Sequence, residues 1–128
     1  MSHKILIVDD SATTRAFIRR SIKVAGFTTD AIHEAADGAA ALAILATEPI
    51  DLVVADLHMP TMDGVEMTRR ILADDVLKNI PVVVVSADPN TERLERLRES
   101  GIKGYVRKPF TPEALRNVLA PILGGNDV

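Results

Sequence analysis

Asp9 and Asp10 stand side by side at the end of an apolar run, KILIVDDS (4–11), and Asp56 closes a second such run, IDLVVAD (50–56). A third, IPVVVVSA (80–87), ends in Ser86 and Ala87, and a fourth, GYVRK (104–108), ends in Lys108 followed by Pro109. If these runs are neighbouring strands, three carboxylates, a hydroxyl and an ammonium meet on one rim. Three carboxylates there would repel one another by roughly 3 kcal/mol per pair at ~5 Å and an effective dielectric of ~20, so something positive must bind between them. Mg²⁺ fits: it takes oxygen ligands, keeps waters, and is usually held by one or two carboxylates plus a phosphate. The chain has no cysteine and no cluster of histidines, which disfavours zinc and copper. Lys108 supplies a fixed positive charge that can pair with Asp56 at rest and with a phosphoryl oxygen later. Ser86 adds a donor worth ~1.5–3 kcal/mol when its acceptor is charged. A carboxylate nucleophile, a metal and a lysine make a phosphoryl-transfer site, and the expected covalent product is an aspartyl phosphate.

Such a site needs a scaffold that brings distant strand ends together. The four apolar runs lack strict alternation, as parallel strands covered on both faces do. A fifth strand is expected at AIHEAA (31–36), between a helix stop at Gly26 and the turn signal Asp37-Gly38. Helical spacing fills the intervals. The first helix spans residues 13–25, capped by Ser11 or Thr13, with Ile18, Ile22 and Ala25 inward and Gly26 ending it. A second follows Gly38 with Leu42 and Leu45 inward and stops before Pro49; a third covers 65–75 with Val65, Thr68, Ile71 and Leu72 as its stripe. The fourth, NTERLERLRES (90–100), buries little beyond Leu94 and Leu97. The last starts at Thr111-Pro112-Glu113, carries Leu115, Val118, Leu119 and Ile122, and is expected to kink or fray at Pro121. Strand and helix thus alternate five times, which predicts an α/β fold: a doubly wound five-stranded parallel sheet with five helices in a three-layer sandwich. In such sheets, sites form outside the carboxyl ends of the strands, where the four runs place their polar residues.

Composition narrows the function. The 128 residues, 47 % of them hydrophobic, suit one domain over 1–128 with no room for an output domain, and GGNDV (124–128) reads as a loose tail. A net charge of −3 with 3 % aromatics argues against direct nucleic-acid binding. No apolar stretch approaches the ~18–20 residues of a membrane span, and MSHK precedes no signal-peptide core, so the expected location is the cytoplasm.

Taken together, ILIVDDS, VVADLHMPTMDG, VVVSA and GYVRKPFTPEAL resemble the receiver domain of bacterial two-component response regulators, most closely the stand-alone chemotaxis (CheY-like) type. The resemblance covers essentially the whole chain. It implies the flavodoxin-like strand order 2-1-3-4-5, which is not readable from periodicity. It also implies that Asp56 is the phosphoacceptor, and that Asp10, Asp56 and the backbone carbonyl of His58 hold Mg²⁺ while Asp9 acts through a bound water. Lys108, Ser86 and the backbone of Ala87 would contact the phosphoryl group, and the Lys108-Pro109 bond would be cis. Ser86 and Tyr105 take the switch positions: phosphate draws the hydroxyl inward and the ring turns into the space vacated. The implied partners are a sensor histidine kinase and a reader protein on the face of helix four, strand five and helix five, with a flagellar switch protein as leading candidate. The chain would catalyse only its own phosphorylation and dephosphorylation, as a monomer.

Plainer readings compete. Asp9 could simply cap the following helix, Ser86 could be a turn residue, and Tyr105 a strand residue with a wet hydroxyl. The His58 side chain is read as bordering the path of attacking water, with an effect on phosphoryl lifetime, and not as a ligand. Met59, Met62 and Met67 suggest a Met-rich surface, but Met59 and Met62 are assigned to the loop after Asp56. The arginines of ERLERLRES are read as a solvated face paired with glutamates. Among functions, a phosphorelay intermediate feeding a histidine phosphotransfer domain is the nearest alternative. A Mg²⁺-dependent aspartyl phosphatase of haloacid dehalogenase type lacks the second acid two residues after Asp56, where LHMP stands. A flavodoxin-like binding module would need a hydroxyl-rich loop where Asp-Asp-Ser follows the first strand.

Overall fold

Strand residues that alternate between two apolar faces need helices on both, and the chain supplies them in strict alternation. The computed structural model describes residues 3–56, 64–87 and 91–123, with the side chains of 64, 65, 91, 93, 94, 97 and 100 outside the described set. Within them run β1 (His3–Val8), α1 (Ala12–Val24), β2 (Thr29–Ala35), α2 (Gly38–Thr47), β3 (Leu52–Asp56) and α3 (Gly64–Ala73). A short 3₁₀ turn (Leu77–Asn79), β4 (Val82–Ser86), α4 (Thr91–Ser100), β5 (Gly104–Arg107) and α5 (Pro112–Leu123) follow. All strand pairs are parallel, in the order β2-β1-β3-β4-β5. The chain therefore starts near the middle, winds outward to β2, then returns past β1 to β3, which puts the reversal of strand order between β1 and β3.

Alternate residues of each strand feed separate cores. Ile5, Ile7, Leu52, Val54, Val83 and Val85 pack with Ile18 and Ile22 of α1 and Leu115 and Leu119 of α5. Leu6, Val8, Val53, Ala55, Val82 and Val84 pack with Ala41 and Leu45 of α2 and Met67 and Ile71 of α3. β3 and β4 are buried along their whole length, the behaviour expected of central parallel strands.

Several local expectations change. α1 begins at Ala12 because Ser11 is the N-cap, its hydroxyl accepting from the Thr14 amide at 3.2 Å, and it gives way to Gly26 at φ 92°, a left-handed backbone that glycine adopts freely. Asp37, expected as part of a turn, caps α2 by accepting from the Ala40 amide at 2.8 Å. α3 stops at Ala73, since Asp74 turns its carboxylate onto the Val76 and Leu77 amides and starts the 3₁₀ turn. Met67 belongs to the core and is fully buried. α5, expected to kink or fray at Pro121, stays helical through it to Leu123; so near the helix end, the ring forfeits a single helical hydrogen bond. Met59, Met62, the 124–128 tail and the side chains of Val65, Leu94 and Leu97 lie outside the described residues.

Thr68 is buried in α3 with its hydroxyl lacking any hydrogen-bond partner among the described residues. A buried hydroxyl without a partner loses its hydration and gains nothing in return, so Thr68→Val is expected to stabilise the fold by about 1–2 kcal/mol. Urea unfolding would show this as a higher midpoint with unchanged slope, and a lower midpoint would mean that the hydroxyl is used.

Candidate functional site

β1 and β3 are adjacent, so the residues that end them are neighbours. Asp9, Asp10 and Asp56 each offer a carboxylate oxygen within 4.8 Å of the others. Their surroundings differ sharply: Asp9 is 0 % exposed and Asp56 7 %, whereas Asp10 is open to solvent. Asp9 is held by all its polar atoms. Its amide donates to the Ala35 carbonyl at 3.0 Å, its Oδ1 accepts from the Ser11 amide at 2.9 Å, and its carbonyl accepts from Arg15 Nη1 at 2.6 Å.

Lys108 Nζ lies 3.1 Å from Asp9 Oδ2 and 3.4 Å from Asp56 Oδ2. The lysine therefore bridges two acids, and its shorter contact is to Asp9 instead of the expected Asp56. Burial works against its charge, but the hydrogen bond to Asp9 and the charges of Asp56 and Asp9 outweigh it and raise the ammonium above the usual lysine range. The Lys108-Pro109 bond is cis, and the Lys108 amide donates to the Ser86 carbonyl at 2.9 Å, which ties the end of β5 to the end of β4.

Among the described residues, three carboxylates share this rim with the Lys108 ammonium, so formal negative charge is in excess there. The donor set is all oxygen, one acid is exposed enough to meet a hydrated ion, and the other two are fixed behind it. Those properties fit a hard divalent cation such as Mg²⁺ and not a soft one.

Ser86 is buried at 2 % exposure at the end of β4. Tyr105 is half-buried on β5, with the Arg98 guanidinium 5.8 Å from its ring centroid, so one arginine of the helix expected to be a plain solvated face touches the sheet. His58 lies outside the described residues. Thr13, Thr14, Phe17, Ala87, Lys108, Pro109 and Phe110 line a largely apolar recess, and the Phe17 and Phe110 rings stand 5.3 Å apart at 52°. Arg15 and Glu34, expected only as helix and strand residues, join α1 to β2 beside Asp9: Arg15 Nε donates to Glu34 Oε1 at 2.9 Å and Arg19 Nη2 to Oε2 at 2.7 Å. The hydrogen bond from Arg19 and the one from Arg15 hold the Glu34 carboxyl below its ordinary value against the opposing effect of burial.

A doubly wound parallel domain whose central strands end in an acid cluster bridged by a lysine defines a class, that of flavodoxin-like domains with an acidic rim site. The chain belongs within it to the response regulator receiver family, whose model, "Response regulator receiver domain", matches residues 5–120. The chemotaxis protein CheY of Pseudomonas aeruginosa is 40 % identical over 119 residues, covering 93 % of this chain and 94 % of that protein. Chemotaxis protein CheY-3 of Vibrio cholerae is 38 % identical over 119 residues, covering 93 % of this chain and 90 % of that protein. Among solved structures, the chemotaxis response regulator CheY4 of Vibrio cholerae superposes with a TM-score of 0.83 at 29 % identity, covering 95 % of this chain and 99 % of that one. The chain is thus a CheY-like receiver domain of two-component signalling, a switch and not a classical enzyme. Among the described residues, no helix is long and apolar enough to cross a membrane.

Proposed function

We propose that this chain is a stand-alone phosphorylation switch, most closely of the chemotaxis type, that takes a phosphoryl group from a sensor histidine kinase onto Asp56. The observation that carries this reading is the buried Asp56 carboxylate beside Asp9, Asp10 and a bridging lysine at the strand-order reversal. An Asp56 oxygen forms the new P–O bond while the P–N bond to the donor imidazole breaks and its electron pair stays on the nitrogen. Asp10, Asp56 and the backbone carbonyl of His58 would hold Mg²⁺, with Asp9 reaching it through water. When bound, Mg²⁺ neutralises the charge on the phosphoryl oxygens and orients them.

Lys108 then exchanges one of its two partners: it releases Asp56 and holds a phosphoryl oxygen while keeping Asp9. Ser86 turns its hydroxyl to the same group, the Ala87 backbone amide donates to it, and Tyr105 moves into the space behind Ser86. The change reaches the α4-β5-α5 face, where the reader docks. Coverage of the CheY relatives over nine-tenths or more of their length supports reading this chain as a receiver domain of their type.

Beryllium fluoride with Mg²⁺, a stable mimic of the aspartyl phosphate, is expected to raise affinity for a flagellar switch peptide by on the order of 10-fold. Unchanged affinity, together with phosphoryl transfer onward to a histidine phosphotransfer domain, would replace the chemotaxis reading with the phosphorelay one.

A further inference from the structure

Besides the carboxylates of the acidic pair, the peptide that joins Asp9 to Asp10 has a partner of its own. Its oxygen, the Asp9 carbonyl, accepts from Arg15 Nη1 at 2.6 Å, and the same guanidinium donates through Nε to Glu34 Oε1 at 2.9 Å. The other Glu34 oxygen is taken by Arg19 Nη2 at 2.7 Å and Nε at 3.0 Å, and Arg19 Nη2 also reaches the Ile32 carbonyl at 3.2 Å. Arg15 is well covered, with 17 % of its side chain exposed. The end of β2 therefore grips residue 9 twice, directly through the Ala35 carbonyl on its amide and indirectly through Glu34 and Arg15 on its carbonyl.

Because a peptide unit is planar, fixing its oxygen fixes the direction in which the chain enters Asp10. Asp10 is the exposed acid of the cluster, and its own carboxylate makes no hydrogen bond or ion pair among the described residues, in contrast to that of Asp9. Its aim depends on the backbone beneath it. We propose that Arg15, held by Glu34, is a positioning residue for the divalent cation site: it sets the peptide plane from which Asp10 presents its carboxylate. This inference rests on the acidic cluster being the Mg²⁺ site.

The sign of the effect separates positioning from simple electrostatics. Arg15 is a positive charge close to a cation site, so by Coulomb's law alone its removal should tighten Mg²⁺ binding. Positioning predicts the opposite, a loss of about 10-fold, the size seen when a partner that orients a metal ligand is removed. Isothermal titration of the full chain with Mg²⁺ at fixed pH and ionic strength would compare wild type, Arg15→Met and Arg15→Lys. Both variants are expected to bind more weakly; Arg15→Lys keeps the charge and folds readily, but one ammonium cannot reproduce the fixed fork between Glu34 and the Asp9 carbonyl. In an Arg15→Met background, Glu34→Gln is expected to add nothing further, since Glu34 acts through Arg15. Wild-type or tighter affinity in both Arg15 variants would overturn the inference while leaving the Mg²⁺ site intact. A wild type that takes up no Mg²⁺ at millimolar concentration would overturn the site itself, and the inference with it.

Discussion

Given acetyl phosphate and Mg²⁺, the wild-type chain is expected to gain the mass of one phosphoryl group, and Asp56→Asn none. Asp56 is the acid that a lysine, a switch of strand order and two further carboxylates surround, and it is 7 % exposed. Asparagine has the same shape but no charge, so it is a poor nucleophile and a weaker partner for the cation. Folding cannot explain the loss, because removing one of three crowded acids relieves repulsion and should leave the fold as stable or more so. Intact-mass spectrometry reads the outcome directly. Equal adducts on both proteins would move the acceptor elsewhere, and an adduct that forms equally well with the metal chelated would remove Mg²⁺ from the reaction.

Much of this site was legible because strand ends are legible. ILIV, LVVAD and VVVVS are short, apolar and rich in β-branched residues, as strands covered on both faces are, and in a parallel sheet the polar residues that follow or end them lie on one rim. What periodicity could not supply is which strands are neighbours. The order β2-β1-β3-β4-β5 came from family resemblance, and without it Asp9 and Asp56 could have ended two strands apart. Local capping was read in part: Thr111 and Ser11 behave as caps, while Asp37 looked like a turn because Gly38 follows it. Met67 escaped because methionine suits both loops and cores, although it sits four residues before Ile71 on the same buried face.

The parts hardest to read were the ion pairs. Arg15 and Glu34 are 19 residues apart on different elements, and only the pairing of β2 with β1 brings them together. The same holds for Lys108, whose presence at the rim was predictable but whose choice between Asp9 and Asp56 is decided by a few tenths of an ångström. A shared ammonium of this kind can offset part of the charge of the resting site and be released in part when another charge arrives.

That dual role makes Lys108→Met the most informative single change. At neutral pH the lysine is fully charged: its raised value means that its contribution to stability is complete below the ordinary 10.5 and is lost only as pH climbs through the higher folded-state value. Removing it leaves Asp9, at 0 % exposure, with an uncompensated oxygen and restores the repulsion with Asp56. Breaking a buried pair costs about 3–5 kcal/mol, and with 24 % of the lysine side chain exposed the expected loss without metal is nearer 2–3 kcal/mol. The freed acids should bind Mg²⁺ more tightly than in wild type, so saturating Mg²⁺ should recover most of that stability. Phosphate should still be accepted on Asp56, but without the ammonium to hold a phosphoryl oxygen the gain in reader affinity should vanish. Thermal melts with and without Mg²⁺, alongside a binding isotherm for the phosphorylated variant, test both halves. A loss of stability that Mg²⁺ does not recover, together with wild-type gain in reader affinity, would make Lys108 a structural ion-pair partner of Asp9 and take it out of the switch.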